Sequence, residues 1–250
     1  MSNSNREAPS SLAAERAARV RAEATVFQRD HMLSILSHDL RGPLNAIHSW
    51  SHVLERKLDP NDASVQRALN GVRTGVEQQV RLIEEVVDTT RQATRHLRIE
   101  RAPARVGALL QAVLDNIEQS VAAPRGAGID SDLSGLAEQA TLDIDAERVW
   151  QAVWVMLDHA MSQGRTDTGV RLRAASAEGG LRASVEFQSA ADTAQTAALR
   201  ADQVPPPLAL PLRVAEAHGG RFVFEQVADP VGMRRLVLSL PARAPLSSAL

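Results

Sequence analysis

Between Ser11 and Gly42 the chain carries neither glycine nor proline, and Ala, Glu and Arg dominate the run. Glycine and proline are the residues that interrupt helices, so this run constrains the chain to one long helix, continuing to about Leu58. "LDPND" at 58–62 makes a turn, with Asp62 placed to cap the next helix. That second helix is expected from about Ala63 to His96. Its apolar residues Val65, Leu69, Val72, Val76, Ile83 and Val86 alternate steps of four and three, with Gln79 in the missing place, which is a coiled-coil-like seam. Two long helices joined by a short turn form an antiparallel hairpin. A single seam is poorly buried by one hairpin, so a four-helix bundle made by two copies is the expected completion.

The texture changes after "ERAPA". A helix is expected over 105–122, and "GIDSDL" and "QATLDI" read as short strands. "DAERVWQAVWVMLDHAM" is a strongly apolar helix with Asp145 as its N-cap candidate. "GVRLRAASAEGGLRASVEFQ" alternates about a Glu-Gly-Gly turn, as a hairpin does. Residues 189–207 read as a polar, Ala-rich loop ending in three prolines. "LALPLRVAEAHGG" is a helix closed by glycine, and "RFVFEQV" and "MRRLVLSL" are two last strands. The expected fold class is α+β: a helical hairpin followed by a mixed domain. The expected divisions are 1–30 as a tail and helical lead-in, 31–98 as the hairpin domain, 103–241 as the mixed domain and 242–250 as a tail.

Apolar residues are 44% of the 250, enough for a core, but aromatics are 3%, so Leu, Val, Ile and Ala must build it. The net charge of −2 argues against nucleic acid or a membrane surface as partner. The chain has no cysteine, which excludes disulfides, thiol catalysis and Cys-ligated metals. No apolar run approaches the ~18 residues of a membrane span. "MSNSNREAPSSLAAERAARV" lacks the apolar segment of a signal peptide, so a soluble cytoplasmic protein is expected.

The candidate for chemistry is in "SILSHDLRGPLNAI", residues 34–47. At 100° per residue, Leu33, Leu36, Leu40, Leu44, Ile47, Leu54 and Leu58 lie opposite His38. His31, Ser34, Asn45, Ser49, His52 and Arg56 share its side, and Phe27 breaks the pattern there. His38 is therefore aimed at solvent. A neutral imidazole is a competent nucleophile near neutral pH, and the adjacent Asp39 can hold one ring nitrogen while the other attacks. Gly42 and Pro43 together cost a helix roughly 4 kcal/mol, an expense that a purely structural helix has no reason to carry. Elsewhere, His48 and His52 have a metal-binding spacing, but no neighbour completes a site except Glu55 reaching in from another chain, and Trp150 and Trp154 read as core packing. Arg41, Asn45, His48 and His52 make a polar face below His38 on which a partner could dock.

"SHDLRGPLNAI" resembles the H-box of bacterial sensor histidine kinases. His38 matches the phosphoacceptor, Asp39 its acidic neighbour and Pro43 the helix-bending proline. "RLIEEVVDTTR" resembles the second helix of the dimerisation and phosphotransfer domain, and "DAERVWQAVWVMLDHAM" the N-box helix of the ATP-binding domain. "LALPLRVAEAHGGRFVFEQV" and "RRLVLSLP" resemble that domain's last helix and strands. The resemblance runs collinearly over about residues 30–241. It implies a dimeric helical hairpin followed by a histidine-kinase ATPase-like α/β sandwich. It also implies two-component signalling, with phosphate exchanged between His38 and an aspartate of a response regulator.

The departures from the family concentrate on ATP. His159 stands where the N-box has a magnesium-coordinating asparagine, and imidazole is a poor magnesium ligand. Gln188 falls near the adenine-binding aspartate and Ala190 replaces a glycine of the first glycine box. Pro205, Pro206 and Pro207 fall on the second glycine box, where backbone N–H groups should cradle phosphate. Ser162 stands near the family's lysine, and Gly42 replaces the Thr or Asn that positions water for dephosphorylation. No cofactor is expected, with ATP and magnesium only if the divergent site is competent. The first reading is a phosphorelay protein that exchanges phosphate with response-regulator receiver domains through His38, as a homodimer built on the hairpin. The alternatives are an active ATP-dependent kinase with a divergent site and a non-catalytic pseudokinase scaffold or heterodimer partner.

Overall fold

The computed structural model describes residues 7–58, 62–91, 97–137, 139–165, 167–190, 204–227 and 232–242. Helix α1 spans Glu7–Lys57 and runs unbroken through Pro43. It begins a few residues before the expected start. Helix α2 spans Ala63–Arg91. The expected extension to His96 and the side chain of Val86 lie outside the described residues. Asp62 caps α2 as its sequence position predicts: its Oδ1 accepts from Ser64 N at 2.8 Å, Ser64 Oγ at 2.6 Å and Val65 N at 3.3 Å. Those bonds, the Ser64 hydroxyl first, hold its carboxyl below the usual range.

The chain forms two compact units, one of Arg29–His96, the other of residues up to Gln28 together with Leu97 onward. In the first, α2 covers a narrow stripe of α1, burying Ser37, Leu44 and Ser51, while α1 buries Val76. Much of the expected seam stays open: Leu36, Leu40, Ile47 and Leu54 on α1 and Val72 on α2 are exposed, and so is Leu82 beside the seam.

The second unit is a two-layer sandwich. After β1 (Ala102–Arg105) come α3 (Val106–Ile117), a π-turn over Glu118–Ala122 and the short α4 (Ala123–Arg125). Strands β2 (Ile129–Gly135) and β3 (Thr141–Ile144) precede α5 (Ala146–Gln163). The hairpin β4 (Val170–Ala177) and β5 (Gly180–Gln188) turns at Glu178 and Gly179, both with positive φ, 50° and 78°, as a tight two-residue hairpin turn requires. A 3₁₀ turn over Pro206–Leu208 leads into α6 (Ala209–Ala217), followed by β6 (Arg221–Gln226) and β7 (Met233–Leu240). The main sheet has the order β2-β4-β5-β7-β6, parallel only between β2 and β4; β1 and β3 pair antiparallel apart from it. Pro103 had hidden β1 in the sequence. The loop expected at 189–207 lies mostly outside the described residues.

Alternation along the strands separates the sheet's two faces. Leu172, Val185, Phe187, Leu236 and Leu238 enter the core with α3, α5 and α6. The opposite face carries one cross-strand row, Asp130–Arg171–Glu186–Arg235–Glu225, with alternating sign over all five strands. Arg171 Nε meets Asp130 at 2.6 Å and Arg235 Nε meets Glu186 at 2.8 Å. Opposite charges placed directly across strands favour this register, and a charged face stays in water.

The first part of α1 belongs to this second unit. Ala13, Ala17, Val20 and Phe27 are buried, which explains why Phe27 breaks the pattern set around His38: α1 packs a different face before Gln28. Arg16 bonds Glu147 at 2.6 Å and lies 3.6 Å over the Trp150 ring, and Arg21 grips Asp158 with two bonds of 2.6 and 3.1 Å. Arg148 pairs with Glu23, and Gln151 donates to Glu23 at 3.0 Å. Trp150 and Trp154 stack with centroids 6.5 Å apart, and Trp154 donates to Asn116 at 2.8 Å, so core packing accounts for both rings.

Candidate functional site

His38 stands on the exposed side of α1 with its side chain 76% accessible. Its Nδ1 is 3.3 Å from Asp39 Oδ1. A carboxylate only accepts, so this contact selects the tautomer with the proton on Nδ1 and leaves the Nε2 lone pair outward. Four residues on, Pro43 has no N–H to give to the Asp39 carbonyl, so the helical bond at this residue is missing by covalent structure. A Cβ added at Gly42 would meet nothing within 4 Å. Below lies a cavity of about 350 Å³ lined by Asn45, His48, Val76, Glu77, Val80 and Arg81. Two of the four residues expected on the docking face, Asn45 and His48, line it. Arg41 instead reaches Glu84 at 3.7 Å, and His52 bonds Glu55 of its own helix at 3.3 Å. Among the described residues no three side chains are grouped to hold a metal ion.

In the sandwich, Asp145 caps α5 by accepting from Arg148 N at 3.0 Å. His218 ties the end of α6 to that cap: its Nε2 accepts from Asp145 N at 3.0 Å and its Nδ1 donates to Val214 O at 2.8 Å. Burial lowers its pKa, as the accepting Nε2 requires.

His159, near the end of α5, is pushed down to about 4 by burial, against the opposing pull of Asp158, and is therefore neutral at pH 7. Its ring meets Phe187 edge-on with centroids 6.1 Å apart. The ring it meets stands one residue before Gln188, which the sequence set near the family's adenine-binding aspartate. Phe187 enters the core, and the strand's alternation turns Gln188 to the other face with Glu186 and Met233. At the entrance to α6 the prolines remove three N–H groups. The next two amides are already spent: Leu208 N bonds Pro205 O at 2.8 Å, and Ala209 N bonds Pro206 O. The prolines and these two amides therefore offer no free donor to a phosphate.

Sequence reasoning missed two features here. One is the docking of the lead-in helix onto α5. The other is Arg234, 2% exposed on β7, whose apolar surroundings no local pattern announces.

Comparison with known proteins places this geometry. Residues 28–95 match the family described as the His Kinase A (phospho-acceptor) domain. The crystal structure of a histidine kinase from Burkholderia phymatum STM815 is 33% identical with a TM-score of 0.68, and the alignment covers 91% of this chain and 99% of that one. The adaptive-response sensory kinase SasA of Synechococcus sp. (strain JA-3-3Ab) is 25% identical over 149 residues, 58% of this chain. The chain spans 38% of that curated relative's length. The hairpin matches the His Kinase A family, and the sandwich resembles the histidine kinase ATPase domain. The chain belongs to the histidine kinase family.

Proposed function

We propose that the chain is a phosphorelay protein that exchanges phosphate with response-regulator aspartates through His38 and does not use ATP. The carrying observation is a contrast between its two units. His38 is exposed, with Asp39 on Nδ1, while Pro205, Pro206 and Pro207 precede two amides already spent at the α6 entrance. An ATP site needs free N–H groups where this chain has proline rings, and it needs a magnesium ligand where it has a buried neutral imidazole.

The step balances without a cofactor. The Nε2 lone pair of His38 forms a bond to phosphorus as the bond from phosphorus to the regulator's aspartyl oxygen breaks. The carboxylate leaves with that electron pair. The positive charge gained by the ring rests on Nδ1–H, against Asp39. Return of the phosphoryl group to a second regulator reverses these events. Phosphoryl transfer of this kind depends mostly on positioning. The regulator docks on the hairpin below His38, where the 350 Å³ cavity between Asn45 and Arg81 offers an irregular surface. Two copies assemble through Leu36, Leu40, Ile47, Leu54, Val72 and Leu82, which one hairpin leaves exposed.

The relatives' names favour a second reading, an ATP-dependent kinase with a divergent site. Calorimetric titration with ATP and magnesium separates the two. The relay reading expects no saturable binding up to about 1 mM, against the micromolar-to-millimolar range in which enzymes commonly hold their substrates. Saturable, magnesium-dependent binding would favour the kinase.

A further inference from the structure

Arg234 is the second residue of β7 and is 2% exposed. Its Nη1 and Nη2 are both buried, and neither has a hydrogen-bond partner among the described residues. On the same face its register partners are Phe187 on β5 and Gln226 on β6. Phe187 cannot accept a hydrogen bond from a guanidinium edge, and Gln226 is exposed at the corner of the sheet. His159, which meets Phe187 on the same side, escapes the cost of burial by staying neutral. Arginine has no such escape, because it keeps its proton at any pH a protein meets. A charge buried without a partner is among the most expensive things a core can hold. The neighbouring Arg235 shows the contrast: it points to the other face and is paired with Glu186 and Glu225.

We infer that Arg234 is the anchor of an oxyanion site on the helix-facing side of β7, which takes a small free anion of the inorganic phosphate class. A planar guanidinium edge matches two oxygens of a tetrahedral oxyanion, and Nη1 and Nη2 offer up to four donors for it. Both atoms are sealed from solvent, so an anion held by them is held out of bulk water. The site does not rest on the phosphorelay reading. It places a fixed positive charge beside Phe187, whose ring meets His159, the residue standing at the family's magnesium-coordinating position.

The test uses the full chain, with thermal unfolding and equilibrium dialysis in inorganic phosphate against chloride at matched ionic strength. Phosphate should raise the unfolding midpoint by a few degrees once it exceeds the dissociation constant about tenfold. Dialysis should find one phosphate per chain. Arg234→Met should abolish both effects, and it should fold, since replacing an unpartnered buried charge with an apolar side chain of similar size is commonly neutral or stabilising. Arg234→Lys, which keeps the charge but loses the fork, should weaken binding roughly tenfold. The same midpoint in phosphate and chloride would overturn the inference. So would a phosphate response that persists in Arg234→Met, or one that Mg-ATP gives and phosphate does not.

Discussion

Two histidines of this chain sit in opposite environments, and their chemistry divides accordingly. His38 is in water beside Asp39. If Asp39 fixes the tautomer, Asp39→Asn should slow phosphoryl acceptance by about 100-fold, at the low end for a positioned acid-base group because Asp39 is half exposed. Quenched-flow transfer from a phosphorylated receiver domain measures it, and an unchanged rate would remove Asp39 from the mechanism. His159 is buried with its pKa lowered to about 4. Its folded value lies below the unfolded value of about 6.5, so the unfolded state takes up the proton first as pH falls. The stability it contributes is present above pH 6.5 and is lost between pH 6.5 and pH 4. Between pH 7 and pH 5 the loss should be about 2 kcal/mol. His159→Asn should remove that part of the acid sensitivity, as read from urea unfolding at the two pH values.

At the scale of the element, α1 is one helix with two duties. Up to Gln28 it buries Ala17, Val20 and Phe27 against the sandwich, and from Arg29 it is half of the hairpin. Val20→Ala should destabilise the sandwich by roughly 2 kcal/mol, since Val20 is 1% exposed and its removal leaves a cavity. Gly42→Ala should stabilise α1 by about 1 kcal/mol, because the added Cβ has open space. Differential scanning calorimetry checks both signs. The elements also show what a sequence can disclose. Asp62, Asp145 and the Glu178–Gly179 turn were legible because caps and tight turns are written in a few adjacent residues. So was the exposure of His38, which follows from helical period alone. Strand β1 was not, because Pro103 argues against a strand wherever the partner is unknown. The contact of Phe187 with His159 joins a strand to a helix, and no local pattern carries it. The docking of residues 13–27 and the burial of Arg234 depend on contacts between segments far apart in the chain, and no local pattern encodes those.

The whole molecule is a histidine kinase family chain that combines an exposed histidine on its hairpin, His38, with a sandwich whose last helix is entered through three prolines. No helix among the described residues is long and apolar enough to cross a membrane. The exposed apolar residues of the hairpin predict self-association. Leu40→Glu should raise the dimer dissociation constant more than about 100-fold by forcing a charge into the interface from each copy, as sedimentation equilibrium would record. The decisive experiment on the relay is a pair of labelling reactions with wild type and His38→Ala. One reaction holds labelled ATP and magnesium alone, and the other a response regulator already carrying labelled phosphate. Label is expected on wild type from the regulator only, and none on His38→Ala in either reaction. Label passing from ATP directly to His38 would contradict the relay and would show that the proline-bound helix entrance still serves a working kinase.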